Sequence, residues 1–249
     1  MFLRRIGHHI KSQNWAAIGV ELIIVIVGVF LAFQVERLYE MRRLQSEEEG
    51  HLVALRQDFA ASRLQLARII DIHTRSSNAA AQLILDEELA PGIMNYEIFY
   101  QLLSDLQRTG TPNFTRRTYD LLISSGEIDT LQNEPLKADI DSFYALSEGR
   151  ESFQYMQLLN FESNVFIPFV NRSLDHVALV RSLHFDDAEA FNPPLDEEHY
   201  MAVLGTPEFE SMVATKWHLS RDYTSTNEIL LGRLDNILET LDQNLRELD

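Results

Sequence analysis

The pattern of apolar and polar positions divides the chain into one continuous apolar run and a series of amphipathic stretches. From Ala16 to Phe33 every position is apolar or glycine except Glu21, with Trp15 and Gln34 at the ends. A helix rises ~1.5 Å per residue, so ~20 such residues span ~30 Å of hydrocarbon, and this run is just long enough to cross a bilayer. It exceeds the core of a signal peptide, and Gln34 to Arg43 offers no small-x-small cleavage pattern, so it reads as an uncleaved signal anchor.

Beyond it, Gln34 to Asp86 contains no proline and one glycine, Gly50. Its apolar residues Leu52, Leu55, Phe59, Leu66, Ile69, Ile70, Ala80 and Ile84 recur in a three-and-four rhythm that predicts a long amphipathic helix. Ser46 with Glu47, Glu48 and Glu49 forms a Ser-x-x-Glu capping box, so a hinge at Ser46–Gly50 and an unbroken stalk both stay open. Ala90-Pro91-Gly92 ends the element.

Shorter helices follow with clear punctuation. Asn95 is placed to cap Tyr96–Gln107, Thr115 to cap Arg116–Ser124, and Gly126 to stop that helix. Asn133-Glu134-Pro135 resembles a helix start that runs to about Leu174 with a kink at Pro168. Asp175 to Leu195 is less regular; Asp196 then caps a short helix to Leu204, and Gly205 closes it. Thr206-Pro207 opens a last helix to Leu248, striped by Ile229, Leu230, Leu234, Ile237, Leu238, Leu241 and Leu245.

Strand-like alternation is absent, so the fold class expected is all-α. One N-terminal transmembrane helix continues into a long helical stalk and an acidic helical bundle with coiled-coil-like stripes. The boundaries are 1–14 for a short cytoplasmic segment, 15–35 for the transmembrane helix, 36–90 for the stalk, and 91–249 for an ectodomain packing with it. The two long helices invite antiparallel packing.

Charge sharpens this picture. Residues 1–43 hold six Lys/Arg and three Asp/Glu, net +3, and residues 44–249 hold fifteen and thirty-five, net −20, which together make the −17 of the whole chain. A domain so acidic repels nucleic acid and anionic lipid. The absence of cysteine excludes a disulfide scaffold, a thiol nucleophile and a cysteine-held metal cluster. Lys and Arg tie across the span, Arg4, Arg5 and Lys11 against Arg37, Arg42 and Arg43. The N-terminal amine, His8, His9 and the short leading segment tip the reading toward a cytoplasmic N-terminus and a periplasmic C-terminal domain.

Within the span, Ala17, Glu21, Ile24, Gly28 and Ala32, continuing to Val35, fall within about a quarter turn at ~100° per residue. Gly28 and Ala32 let another helix approach closely, and an intramembrane carboxyl normally faces protein or water, so this face reads as a helix-docking surface. The alternative is that Glu21, about two turns from the interface, is tolerated there by snorkelling and local water.

Gln13-Asn14-Trp15, the span with Glu21 and Gly28, the exit Gln34-Val35-Glu36-Arg37, the run Thr118-Tyr119-Asp120-Leu121-Leu122-Ile123-Ser124-Ser125-Gly126, and Leu136 to Tyr144 resemble an uncharacterised family of bacterial single-pass membrane proteins, a domain of unknown function. Where many members carry a Trp-Asn pair after the span, this chain has Leu38-Tyr39. The resemblance implies a Gram-negative inner-membrane setting and brings no catalytic residues to transfer.

For chemistry, no phosphate loop, Gly-x-Ser-x-Gly elbow or His-Glu-x-x-His pair is present, and only Lys11, Lys137 and Lys216 are available as lysines. Glu48 with His51 and Asp196 with His199 have the i, i+3 spacing of helical di-metal sites, but chance in an acid-rich chain explains them better. His184, Asp186 and Asp187 read as a solvated loop. His73, Trp217 beside His218, and the aromatics Phe153, Tyr155, Phe161, Phe166 and Phe169 read as core before they read as ligands.

Neither a cofactor nor a metal is therefore expected, and an enzyme is not. The partners expected are the lipid bilayer and a second copy or another membrane protein, with no nucleic acid. The role expected is a structural or accessory interaction subunit; the alternative is an extracytoplasmic ligand-sensing domain signalling through a partner, with a helical-bundle metalloenzyme third.

Overall fold

The computed structural model describes residues 15–85, 96–174 and 197–248, and every regular element among them is helical. Seven α-helices follow in order: α1 Trp15–Leu85, α2 Tyr96–Gln107, α3 Arg117–Ser125, α4 Glu134–Phe161, α5 Ile167–Ser173, α6 Glu197–Val203 and α7 Pro207–Leu248. A 3-10 turn, Glu127–Thr130, joins α3 to α4, and a π-helical turn, Glu162–Phe166, joins α4 to α5. The chain divides into two compact units, residues 1–50 and residues 51–247.

In the first unit the backbone of α1 is helical from Trp15 onward and stays so through Ser46–Gly50. The capping box at Ser46 therefore starts no new helix. Near its N-terminal end α1 carries an 18-residue window of mean hydropathy 2.0, none of it buried. This helix is long and apolar enough to cross a membrane.

The second unit is a bundle whose buried positions keep a three-and-four spacing on each long helix. On α1 they are Leu52, Leu55, Phe59, Ser62, Leu66, His73, Ser76, Ala80 and Leu83. On α7 they are Phe209, Val213, Lys216, Ser220, Tyr223, Asn227, Leu230, Leu234, Ile237 and Leu241. The two helices run antiparallel, joined by Arg56–Asp242, by Arg63–Asp235 at 2.6 Å, and by a hydrogen bond from Ser220 to Ser76 at 3.1 Å. Helix α4 lies along both: Phe59 meets the rings of Phe143 and Tyr144, and Tyr223 donates to Gln157. At the other end of the bundle, α2, α5 and α6 meet the start of α7 in one apolar cluster, where the Phe99 ring packs against Tyr200 and Phe209 and the Phe169 ring against Phe209.

Local chemistry explains most boundaries and corrects three expectations. Asn133 caps α4, accepting from the Leu136 amide at 3.0 Å, and Thr206 caps α7 through the Phe209 amide at 3.3 Å. Gly126 ends α3 with φ of 78°, a conformation that costs a side chain but not glycine. The first correction concerns the start of α3, which is not capped by Thr115. Instead the Asp58 carboxylate, from α1, accepts the Thr118 amide at 2.9 Å, and Ser62 accepts the Thr115 amide at 3.0 Å.

The second is at Pro168. The helix capped by Asn133 runs on to Ser173 as expected, but its irregularity is a π turn, Glu162–Phe166, just ahead of the proline, whose ring crowds the carbonyl four residues back, at Asn164. Thirdly, Phe153 and Tyr155 are not core: they are 61% and 55% exposed, whereas Phe161, Phe166 and Phe169 are buried. Core positions on α4 run Leu136, Ile140, Tyr144, Ser147, Gln154, Leu158 and Phe161, which places 153 and 155 off that stripe. Asn95, Asp175 to Leu195 and Asp196 lie outside the described residues.

Candidate functional site

Two places concentrate features that packing alone does not require: the polar middle of the bundle core, and the apolar face of α1 in the first unit.

The polar middle is built by core positions that would otherwise be apolar. Lys216 and His73 are both fully buried, at 0% exposure, as are Ser76, Ser220 and Asn227. Three of these side chains converge on the C-terminal end of α2, where carbonyls lack intrahelical partners and the helix dipole is negative. Ser76 donates to the Leu106 carbonyl at 2.9 Å, Lys216 to the Arg108 carbonyl at 3.2 Å, and His73 Nε2 to the Gly110 carbonyl at 2.8 Å. The Lys216 ammonium also sits over the Phe161 ring, 5.6 Å from its centre. Gly110 lies close against α1, where an added Cβ would come 2.7 Å from the end of the Ile69 side chain and displace it. Together the three donors cap a buried helix end from two neighbouring helices.

Burial sets the charge states. It pushes His73 from 6.5 down to about 4, against the opposing bond to Gly110, with the Lys216 charge adding to the fall. His73 is therefore neutral at pH 7 with its proton on Nε2, and Nδ1 is left as an acceptor. Burial likewise pushes Lys216 down from 10.5 to about 8, opposed by the Glu162 carboxylate, so it remains mostly charged at pH 7.

Next to this cap lies a layer of incompletely satisfied polar atoms. The His73 ring meets Tyr223 edge-on at 5.3 Å, and the Tyr223 hydroxyl donates to Gln157 at 2.6 Å. Within about one turn on each helix, His73 Nδ1, Gln154 Oε1, Arg150 Nη1 and both amide atoms of Asn227 are buried with no hydrogen-bond partner among the described residues. Such groups each cost roughly 1–3 kcal/mol when left unpaired.

The second place is the apolar stretch of α1. Glu21, Ile24 and Ala32 are exposed, and a side chain added at Gly28 would meet nothing within 4 Å. The side chain of Ala17 lies outside the described residues. Helical geometry keeps these positions within a quarter turn, so the carboxyl and the small residues share one face.

No family model, curated protein or solved structure matches this chain.

The remaining candidates fall elsewhere. His51 bonds to the Thr130 hydroxyl at 2.9 Å and faces Glu127 at 3.7 Å. His218 is exposed, and Trp217 packs partly against the apolar cluster. Among the described residues no group of three or more His, Asp or Glu is placed to hold a metal ion. His184, Asp186, Asp187 and Asp196 lie outside those residues, as does the side chain of His199. The Thr118–Gly126 run, conspicuous in the sequence, has packing roles: Tyr119 stacks on Tyr144 at 4.6 Å, and Arg116 lies over both rings while pairing with Asp120 at 3.1 Å.

Sequence reasoning missed the polar core as a group. The signal was there in register, because Lys216, Ser220, Tyr223 and Asn227 continue the three-and-four spacing that Leu230, Leu234, Ile237 and Leu241 define downstream.

Proposed function

We propose that the protein is a single-pass membrane protein acting as a structural or accessory interaction subunit. It associates through the Ala17, Glu21, Ile24, Gly28 and Ala32 face and through its helical ectodomain. The observation that carries this reading is that a helix long and apolar enough to cross a membrane presents one carboxyl and a small-residue pair on a single uncovered face. In hydrocarbon, close backbone approach and an interhelical hydrogen bond to Glu21 are what such a face offers. The setting proposed is a Gram-negative inner membrane, N-terminus cytoplasmic and acidic domain periplasmic, in keeping with the family the sequence resembles. The coiled-coil character of the long helices belongs to the same proposal.

The test is the mass of the native particle after gentle extraction. Glu21→Leu and Gly28→Leu each lower that mass while the helical content and melting of the bundle stay unchanged. An unchanged mass after both substitutions defeats the reading.

A second reading, a ligand-sensing ectodomain, is favoured by the unpaired atoms of His73, Arg150, Gln154 and Asn227. It requires a small polar molecule that raises the melting temperature of the protein, and an Asn227→Leu variant that no longer responds.

A further inference from the structure

Four buried polar atoms on α4 and α7 have no hydrogen-bond partner among the described residues: Arg150 Nη1, Gln154 Oε1, and both Oδ1 and Nδ2 of Asn227. Asn227 is 0% exposed and Gln154 3%. Two contacts fix their levels. The helices run antiparallel, with the Tyr223 hydroxyl donating to Gln157 at 2.6 Å and Arg233 donating to the Ser142 hydroxyl at 3.5 Å. Asn227, one turn beyond Tyr223 toward Arg233, therefore stands level with the Arg150–Gln154 turn. His73 belongs to the cap on α2 instead: it sits on α1, with its ring against that of Tyr223.

Nearly all buried polar groups in folded proteins are paired, with protein or with ordered water. Asn227 is unpaired at both ends of its amide, so exchanging the nitrogen and the oxygen changes nothing. The needs of the four atoms are mixed. The two carbonyl oxygens call for donors, and the Asn227 amide and Arg150 guanidinium call for acceptors. An anion would leave both carbonyls facing negative charge, and a cation would be brought against Arg150. A neutral molecule that both donates and accepts meets the whole set. All four atoms are closed to solvent, so that molecule is small. Water has the required chemistry, and a buried water typically makes about three hydrogen bonds. One water does not serve both ends of an amide with good geometry. A hydrogen-bonded pair turns three hydrogens and three lone pairs outward, enough for all four groups.

We infer that Arg150, Gln154 and Asn227 form a binding site for a linked pair of internal waters at the α4–α7 seam. The waters supply the hydrogen bonds that the two helices do not make to each other at this level, and they exchange with solvent only when the helices part. The inference is independent of the membrane-face reading. It sets a condition on the ligand-sensing one: a solute entering this layer displaces both waters, and gains affinity only where it reproduces their hydrogen bonds.

The test is the count of long-lived internal waters, read by oxygen-17 relaxation dispersion of the solvent on the full-length protein in detergent micelles. Asn227→Leu keeps the branching of the side chain and takes away both amide ends. Gln154→Leu takes away one acceptor, and carries the test where Asn227→Leu does not fold. Ser225→Leu, on the exposed side of α7, is the control. Comparison between variants cancels waters held elsewhere. The count is expected to fall by about two in Asn227→Leu, to fall in Gln154→Leu and to match wild type in the control, with helical circular dichroism retained in each. An equal count in wild type and both core variants overturns the inference. So does glycerol or acetamide raising the melting temperature of wild type but not of Asn227→Leu while the two proteins hold the same number of waters, a result that supports the ligand-sensing reading instead. A fall in the count with no response to either solute sustains the water site and counts against that reading.

Discussion

Lowering the pH from 7 to 4 removes a defined amount of stability through His73. Its folded pKa of about 4 lies below the unfolded 6.5, so between these values the unfolded chain binds the extra proton and the folded chain does not. Stability from this group is therefore fully present above pH 6.5 and is lost as pH falls toward 4. At 1.36 kcal/mol per unit, the loss is about 3 kcal/mol, a large part of the 5–15 kcal/mol that holds a typical domain. Glu151, half-buried and accepting the Phe114 amide, is raised by burial and slopes the other way, so the wild-type curve alone does not isolate His73. The comparison is with His73→Gln, which keeps a donor for the Gly110 carbonyl but does not titrate. Urea unfolding at each pH is followed by Trp217 fluorescence in a Trp15→Phe background, since Trp217 packs against the bundle core. The stability difference between wild type and His73→Gln shrinks by about 3 kcal/mol from pH 7 to pH 4. A difference that stays flat across that range refutes the argument, because it would mean that His73 is hydrated or that its proton is shared with a group that compensates.

On the alkaline side the sign reverses in origin but not in direction. Lys216 falls to about 8, so stability rises by about 2 kcal/mol between pH 8 and 9.5 as the buried ammonium is discharged, and Lys216→Met abolishes the rise; the window stops there because Tyr223, held up near 12 by burial, reverses the slope above pH 10. Leu66→Ala, at a fully buried position of α1, lowers unfolding free energy by roughly 2–5 kcal/mol in the same urea assay, and a cost below 1 kcal/mol would show that the α1–α7 seam is loosely packed there.

The helical register of this protein was legible in the sequence because two long helices repeat their apolar positions without interruption by proline. Leu52, Leu55, Phe59 and Leu66 are all fully buried, and the stops at Gly126 and Gly205 and the start at Pro135 fall where glycine and proline chemistry places them. What did not follow was anything requiring a partner distant in sequence. Asp58 capping α3 and Lys216 capping α2 join residues 60 and 108 positions apart, and no local pattern announces them. Phe153 and Tyr155 were misjudged for a related reason. Hydrophobicity was read without phase, and one step along a helix turns a side chain by ~100°, from core to solvent.

The antiparallel pairing of α1 with α7 also constrains how the molecule is made. Arg56 meets Asp242, so the wall opposite this stretch of α1 is synthesised 186 residues after it. Until Pro207–Leu248 leaves the ribosome, the apolar stripe of α1 has no complete cover, and the nascent chain carries that open stripe while all the residues between the two helices are made. A stripe open for that long is the kind of surface that shields on growing chains recognise, and it closes only when α7 docks.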